Sequence, residues 1–203
     1  MSNVISRRVF LKCAGAATVA VGAASLLGGC SLIDDAIDDA LNGMMDKNNV
    51  AGVTHNRVGV TWNMAAINHA SGTVDGEWKK GPIDTVTAAI DISSLSSQEY
   101  DLKAENIELK VDGVKATVQN YNDVQVADKK DLLLGQNGVV HIGAGDLESR
   151  SVSGYVVFKL NNEPKPESWS KLELTIKFGP GTFSFTATPK KDNPDEAEIK
   201  ANR

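Results

Sequence analysis

The chain has 203 residues, 41% hydrophobic and 23% charged, with a net charge of −5; that is enough chain for one domain with its own core. The acidic balance argues against nucleic-acid binding, which is driven by Lys and Arg neutralising phosphates, and against adsorption to anionic lipid headgroups.

The first thirty residues set the address. Ser6-Arg7-Arg8-Val9-Phe10-Leu11-Lys12 is a basic start with paired arginines, Cys13 to Gly29 is uncharged and rich in Ala, Gly and Val, and Leu27-Gly28-Gly29-Cys30 closes on small residues before a cysteine. A charged start, a short apolar middle and a small-residue end make a secretory signal. The run S-R-R-V-F-L-K resembles the twin-arginine export motif of bacteria, a receptor-read address. L-G-G-C resembles the lipobox of bacterial lipoproteins, and that resemblance implies cleavage before Cys30 and a lipid on its sulfur. The alternative is an uncleaved membrane helix, because the 21 residues from Cys13 to Ile33 carry no charge and about 20 apolar residues span a bilayer. Gly15, Gly22, Gly28 and Gly29 weaken that helix, each by about 1 kcal/mol relative to Ala. Either reading keeps Arg7, Arg8 and Lys12 in the cytoplasm and places the domain outside the cytoplasmic membrane, on the cell-envelope side.

Removal of residues 1–29 takes three cations and no acid from the 21 basic and 26 acidic residues, leaving 18 basic residues and a net charge of −8. An acidic chain on a membrane then depends on its lipid, and stable anchoring takes two or more acyl chains. Of the two cysteines, Cys13 leaves with the signal and Cys30 is taken by lipid. None remains for a disulfide, a thiolate nucleophile or a cysteine metal site.

Residues 30–50 read as a lipidated tether. Leu32, Ile33, Ala36, Ile37, Ala40, Leu41, Met44 and Met45 recur at helical spacing, with Asp34, Asp35, Asp38 and Asp39 on the other face, an amphipathic helix pattern. The expectation is a helix that covers one side of the next domain, or a frayed stalk; a partner-binding helix is the alternative. The acidic pairs lack the loop spacing of a calcium site.

From Val58 the period changes to two. Val58, Val60, Trp62 and Met64 alternate with polar or small residues, and Val86, Ala88, Ile90 and Ile92 do so again, as half-buried strands do. Asn68 to Gly72 is turn-like, Gly81-Pro82 is a breaker, and serines at 93, 94, 96 and 97 mark a loop. Ile107, Leu109 and Val111 lead through Asp112-Gly113 to Val114, Ala116 and Val118, a hairpin signal because both central residues of the turn need positive φ. Residues 120–138 are the least regular, with a short strand expected near Val124–Val126. Gly154 to Leu160 is the most apolar run and predicts a central strand covered on both sides. Leu172, Leu174 and Ile176 precede a turn at Gly179-Pro180-Gly181, then Phe183, Phe185 and Ala187 alternate. Residues 191–203, charged and following Pro189, predict a disordered tail. Short strands with turns between them, and no helical pattern among them, predict an all-β fold: a two-sheet antiparallel sandwich over residues 51–190.

The order I-E-L-K-V-D-G (107–113), S-G-Y-V-V-F (153–158) and L-E-L-T-I (172–176) resembles the telokin-like, immunoglobulin-like domain of bacterial lipoproteins, some of which carry an immunoprotective label. The likeness covers roughly residues 58–188. Asp91-Ile92-Ser93 lacks the family's usual Asn, and the loop before Gly154 lacks its Pro-Gly. The resemblance implies an immunoglobulin-like sandwich and, since the family has no established active site, no functional residue.

Chemistry is hard to find. His55, His69 and His141 stand alone, without metal-ligand spacing. No G-x-S-x-G is present, and Gly143-Ala144-Gly145 extends to no phosphate-binding motif. A pair among the many carboxylates meeting in space, as in glycosidases, stays open as the enzymatic alternative. Trp62 belongs to the core by its place in the alternation. Trp78, Tyr121 and Trp169 are candidate partner-binding aromatics; the alternative for a loop Trp is a cap on the end of the sandwich. The expectation is a lipid-anchored envelope protein without cofactor or metal, acting as a non-catalytic binding module on an unknown envelope or extracellular partner. A structural envelope protein is the alternative.

Overall fold

The structure is a computed structural model and describes residues 31–74, 77–124, 129–143, 150–179 and 181–203. The leader, with Ser6, Arg7, Arg8, Phe10, Leu11, Lys12 and the lipobox Leu27 to Cys30, lies outside the described residues.

Helix α1, Ser31–Lys47, forms where the 3.6-residue period predicts it. Ile37, Leu41 and Met45 are buried, one stripe at i, i+4 and i+8, and the helix lies against β1, Gly52–His55. It therefore covers the domain and is no free stalk. Asp38 on this stripe is also buried, and its carboxylate accepts the backbone N–H groups of Asn56 and Arg57. Those two residues are the turn between β1 and β2, Val58–Val74, with φ of 46° and 66°, left-handed values that non-glycine residues rarely adopt. The helix holds the turn that leads into the sheet.

The remaining strands are β3 (Glu77–Ser94), β4 (Tyr100–Lys103), β5 (Ile107–Val111), β6 (Val114–Val118), β7 (Val139–Ile142), β8 (Ser151–Lys159), β9 (Leu172–Phe178), β10 (Gly181–Pro189) and β11 (Ala197–Asn202). Nine of them make one ladder in the order β1-β2-β3-β8-β6-β5-β9-β10-β11, and β4 and β7 pair separately. All the strand pairs are antiparallel. The all-β expectation holds. In place of two separate sheets, one continuous sheet curls until its edges approach, nearly a barrel: β11 contacts β1 and β2, and Ala66 bridges to Glu196. Inside the curl, Trp62 of β2 meets Phe185 of β10 edge-on at 6.3 Å. Trp62, Phe158, Phe183 and Phe185 are the largest fully buried side chains. β8 lies fourth of nine, with Val156, Val157 and Phe158 all buried, as its apolar run predicts.

The Asp112-Gly113 hairpin forms as expected, with φ of 49° and 85° and Val111 paired to Val114. Two stretches need correction. Asn68 to Gly72 is no turn and Gly81-Pro82 no break: β2 and β3 run through them as a long hairpin, with register shifts near Trp62, Asn68 and His69. A bulge absorbs what a regular ladder would not accept from Pro or Gly. The short strand expected near Val124–Val126 falls mostly on residues 125–128, which lie outside the described residues; Val124 itself is buried. The tail is not disordered: Ala197–Asn202 is a strand that pairs with β10 from Ser184 to Pro189, with Ala197, Ile199 and Ala201 against the core.

Candidate functional site

The curled sheet is joined unevenly. β8 pairs with β3 from Ser151 to Ser93 through Lys159 to Thr85. On its other side it pairs with β6 only at Thr117–Lys159 and Val118–Phe158. Beyond Val118 the chain leaves the ladder, and irregular backbone meets that edge of β8 at Val157 and Tyr155. The Gln119 N–H donates to the Val157 carbonyl at 2.8 Å and the Leu133 N–H to the Tyr155 carbonyl at 2.9 Å. Leu132 can cross this closely because position 154 is glycine: a Cβ there would lie 2.6 Å from the Leu133 nitrogen and 2.9 Å from the Asp131 oxygen.

A pocket of about 400 Å³ opens in this split, between residues 118–124, residues 132–138 and β8. Two turns supply most of its polar groups. In one, the Asp123 N–H returns to the Asn120 carbonyl at 3.0 Å and presents Tyr121 and Asn122. In the other, the Gly138 N–H returns to the Gly135 carbonyl at 2.9 Å; Gly138 has φ of 68°, and Gln136 and Asn137 stand at the tip. Val118, Leu132, Leu134 and Val156 contribute apolar surface. Tyr155 of β8 is 39% exposed and also lines the pocket. The Lys129 ammonium sits over the Tyr121 ring, 5.3 Å from its centroid, and donates to the carbonyls of Tyr121 and Asn122 at 2.9 and 3.2 Å.

Of the aromatics singled out in the sequence, Tyr121 is at this pocket. Trp169 is 8% exposed, and its indole N–H donates to the Pro194 carbonyl at 2.9 Å. It caps the core and holds the C-terminal segment, so its assignment as a partner anchor is corrected. Trp78 pairs through its backbone with Thr73 near the end of the β2–β3 hairpin; its side chain lies outside the described part. The carboxamides and Tyr155 had escaped attention. The G-Q-N-G turn was a usable signal, but only the split of the sheet shows that it faces Tyr121.

The histidines are apart. His141 is exposed beside Asp101 at 2.6 Å. His55 packs on Phe183, ring centroids 5.3 Å apart. His69 donates through Nδ1 to the Gly81 carbonyl at 2.8 Å, and its Nε2 lies 3.3 Å from Asp195. Lys80 reaches the same carboxylate at 2.6 Å, and its hydrogen bond holds the Asp195 carboxyl below its ordinary range, with a smaller contribution from His69. This trio joins β2 and β3 to the C-terminal segment. Among the described residues no group of three or more His, Cys, Asp or Glu is arranged to hold a metal ion, and no helix is long and apolar enough to cross a membrane.

No protein-family model matches the chain, and no curated protein matches it in sequence. Among solved structures, the chain is similar to a candidate lipoprotein, YcdA, from Bacillus subtilis subsp. subtilis str. 168, at 12% identity and a TM-score of 0.47. The match covers 68% of this chain and 38% of that one, so the chain spans well under half the length of its structural neighbour.

Proposed function

We propose that this is a lipid-anchored protein of the bacterial cell envelope, exported by the twin-arginine route and tethered through Cys30, whose β-domain is a non-catalytic binding module. The observation that carries the address is the ordered succession S-R-R-V-F-L-K, an uncharged stretch and L-G-G-C within residues 6–30. The binding reading is supported by the character of the pocket, whose polar lining among the described residues is carboxamides and tyrosines with Asp123 as the one carboxylate. Such groups donate and accept hydrogen bonds and form no acid–base pair. An immunoglobulin-like ancestry rests on the strand and turn pattern alone.

Intact mass of the mature protein from the membrane fraction tests the address. The expected species begins at Cys30 and carries a diacylglycerol-sized adduct, and Cys30→Ala leaves an unlipidated precursor. A mass that begins at Met1 would replace the lipoprotein reading with a signal anchor. A cleaved chain without lipid would make the protein secreted and unanchored.

A further inference from the structure

We propose that the pocket between β6 and β8 binds a neutral, polyhydroxylated ligand, a saccharide; this rests on the binding-module reading and gives it a ligand class. The first support is an excess of uncommitted amides. The side chains of Gln119, Asn122, Gln136 and Asn137 all line the pocket, and none makes a hydrogen bond with another described residue. Each carboxamide offers two donors and an acceptor. A sugar hydroxyl is donor and acceptor at once, so a ring of hydroxyls satisfies such a lining with either orientation of each amide.

The second support is the placement of the tyrosines. Tyr121 and Tyr155 line the same pocket. The Lys129 ammonium lies over the Tyr121 ring. Their amphipathic rings suit the C–H face of a pyranose with its hydroxyls at the edge. A pocket of about 400 Å³ lies at the small end of the range of ligand sites, roughly 300–1,000 Å³, the size for a short sugar rather than a long polymer.

Other ligand classes fit less well. An anion finds no Lys or Arg among the described lining residues, and Lys129 at the rim is occupied by two backbone carbonyls. Among the described residues a cation finds Asp123 alone, already 3.4 Å from the Asn120 amide. An extended peptide would dock by adding a strand to a free sheet edge, but the β8 carbonyls of Tyr155 and Val157 already accept from Leu133 and Gln119.

The test uses the mature protein in a detergent without a sugar headgroup. A panel of neutral, acidic and amino-sugar oligosaccharides, with unstructured peptides alongside, is screened by ligand-observed NMR, and hits are titrated by calorimetry. The expected result is saturable binding of a neutral oligosaccharide, with the side-chain NH2 resonances of Gln119, Asn122, Gln136 and Asn137 shifting. Tyr155→Ala and the Gln136→Ala/Asn137→Ala pair should each weaken it by about tenfold, a loss of about 1.4 kcal/mol, with unchanged thermal melts. Silence across the neutral panel overturns the proposal, as does binding that these variants leave intact, or binding confined to charged sugars or to peptides. The two levels fail separately. Cleaved sugar in the product analysis would overturn the non-catalytic reading and keep the ligand class. Silence with a correctly lipidated Cys30 would overturn the ligand class and keep the anchored protein.

Discussion

Where the curled sheet closes on itself, between β11 and the β1–β2 edge, several side chains are tied to partners across the seam. Where β6 parts from β8, the carboxamides of Gln119, Asn122, Gln136 and Asn137 are not. At the first seam the Arg203 guanidinium donates to the Gly52 carbonyl at 2.8 Å and pairs with Asp46 of α1, Lys80 holds Asp195, and Trp169 is bonded to Pro194. At the second, the backbone is satisfied by Gln119 and Leu133, but the amide side chains above it are left to solvent or ligand. Contacts that reach from one edge of the sheet to the other mark the first seam as structural. Uncommitted donors and acceptors gathered round a concavity mark the second as the place where the molecule meets something else.

The sharpest way to break this comparison is to open the closed seam. Trp169→Ala removes a buried indole and leaves the Pro194 carbonyl without its donor, so a loss of about 3–5 kcal/mol is expected, read by chemical denaturation. Amide exchange should rise in β11 while Gln119 and Leu133, bonded to β8, keep their protection. Equal loosening of both regions would mean that the seams are one cooperative unit. The converse experiment crowds the open seam. Gly154→Val places carbon 2.6 Å from the Leu133 nitrogen, where backbone must yield, at a cost of about 1–3 kcal/mol. Leu132 and Leu134 should shift, and sugar binding should weaken while β11 stays protected. An unchanged melt would show that the crossing over β8 is looser than its geometry states.

How far the sequence foretold this depends on where each feature's cause lies. The α1 stripe was legible because Ile37, Leu41 and Met45 follow a local period, and the Asp112-Gly113 turn because its two φ values demand such residues. The outer half of the β2–β3 hairpin was hidden, since Asn68, His69, Gly72 and Gly81 lack apolar alternation and the strand is sustained by its partner across the ladder. β11 carried a signal that its composition masked. Ala197, Ile199 and Ala201 alternate with Glu198, Lys200 and Asn202, but small inner residues and charged outer ones weigh as a disordered tail until the edge they cover is known. Trp169 in a Ser-rich loop looked free for the same reason: the segment that buries it is 25 residues away. The pocket had no local signature, because it exists only where two strands distant in sequence pair for two residues and then part.

The smallest expected effect tests whether ion pairs or packing close the first seam. Asp195 has its carboxyl held low, chiefly by the Lys80 hydrogen bond, so the folded state binds this proton less readily than the unfolded chain. The resulting stabilisation is fully present above the ordinary aspartate value of about 3.9 and is lost as pH falls through the lower folded value. Both partners are substantially exposed, at 47% and 43%, which limits the pair to below about 1 kcal/mol after solvent screening. Lys80→Ala should therefore lower the melting temperature slightly at pH 7. The gap should shrink in high salt, and the two proteins' stability curves should converge at pH values below the folded Asp195 range. A gap that persists there unchanged would mean that Lys80 acts through its aliphatic stem, and that packing around Trp169 and Ala201 closes the sheet without help from charge.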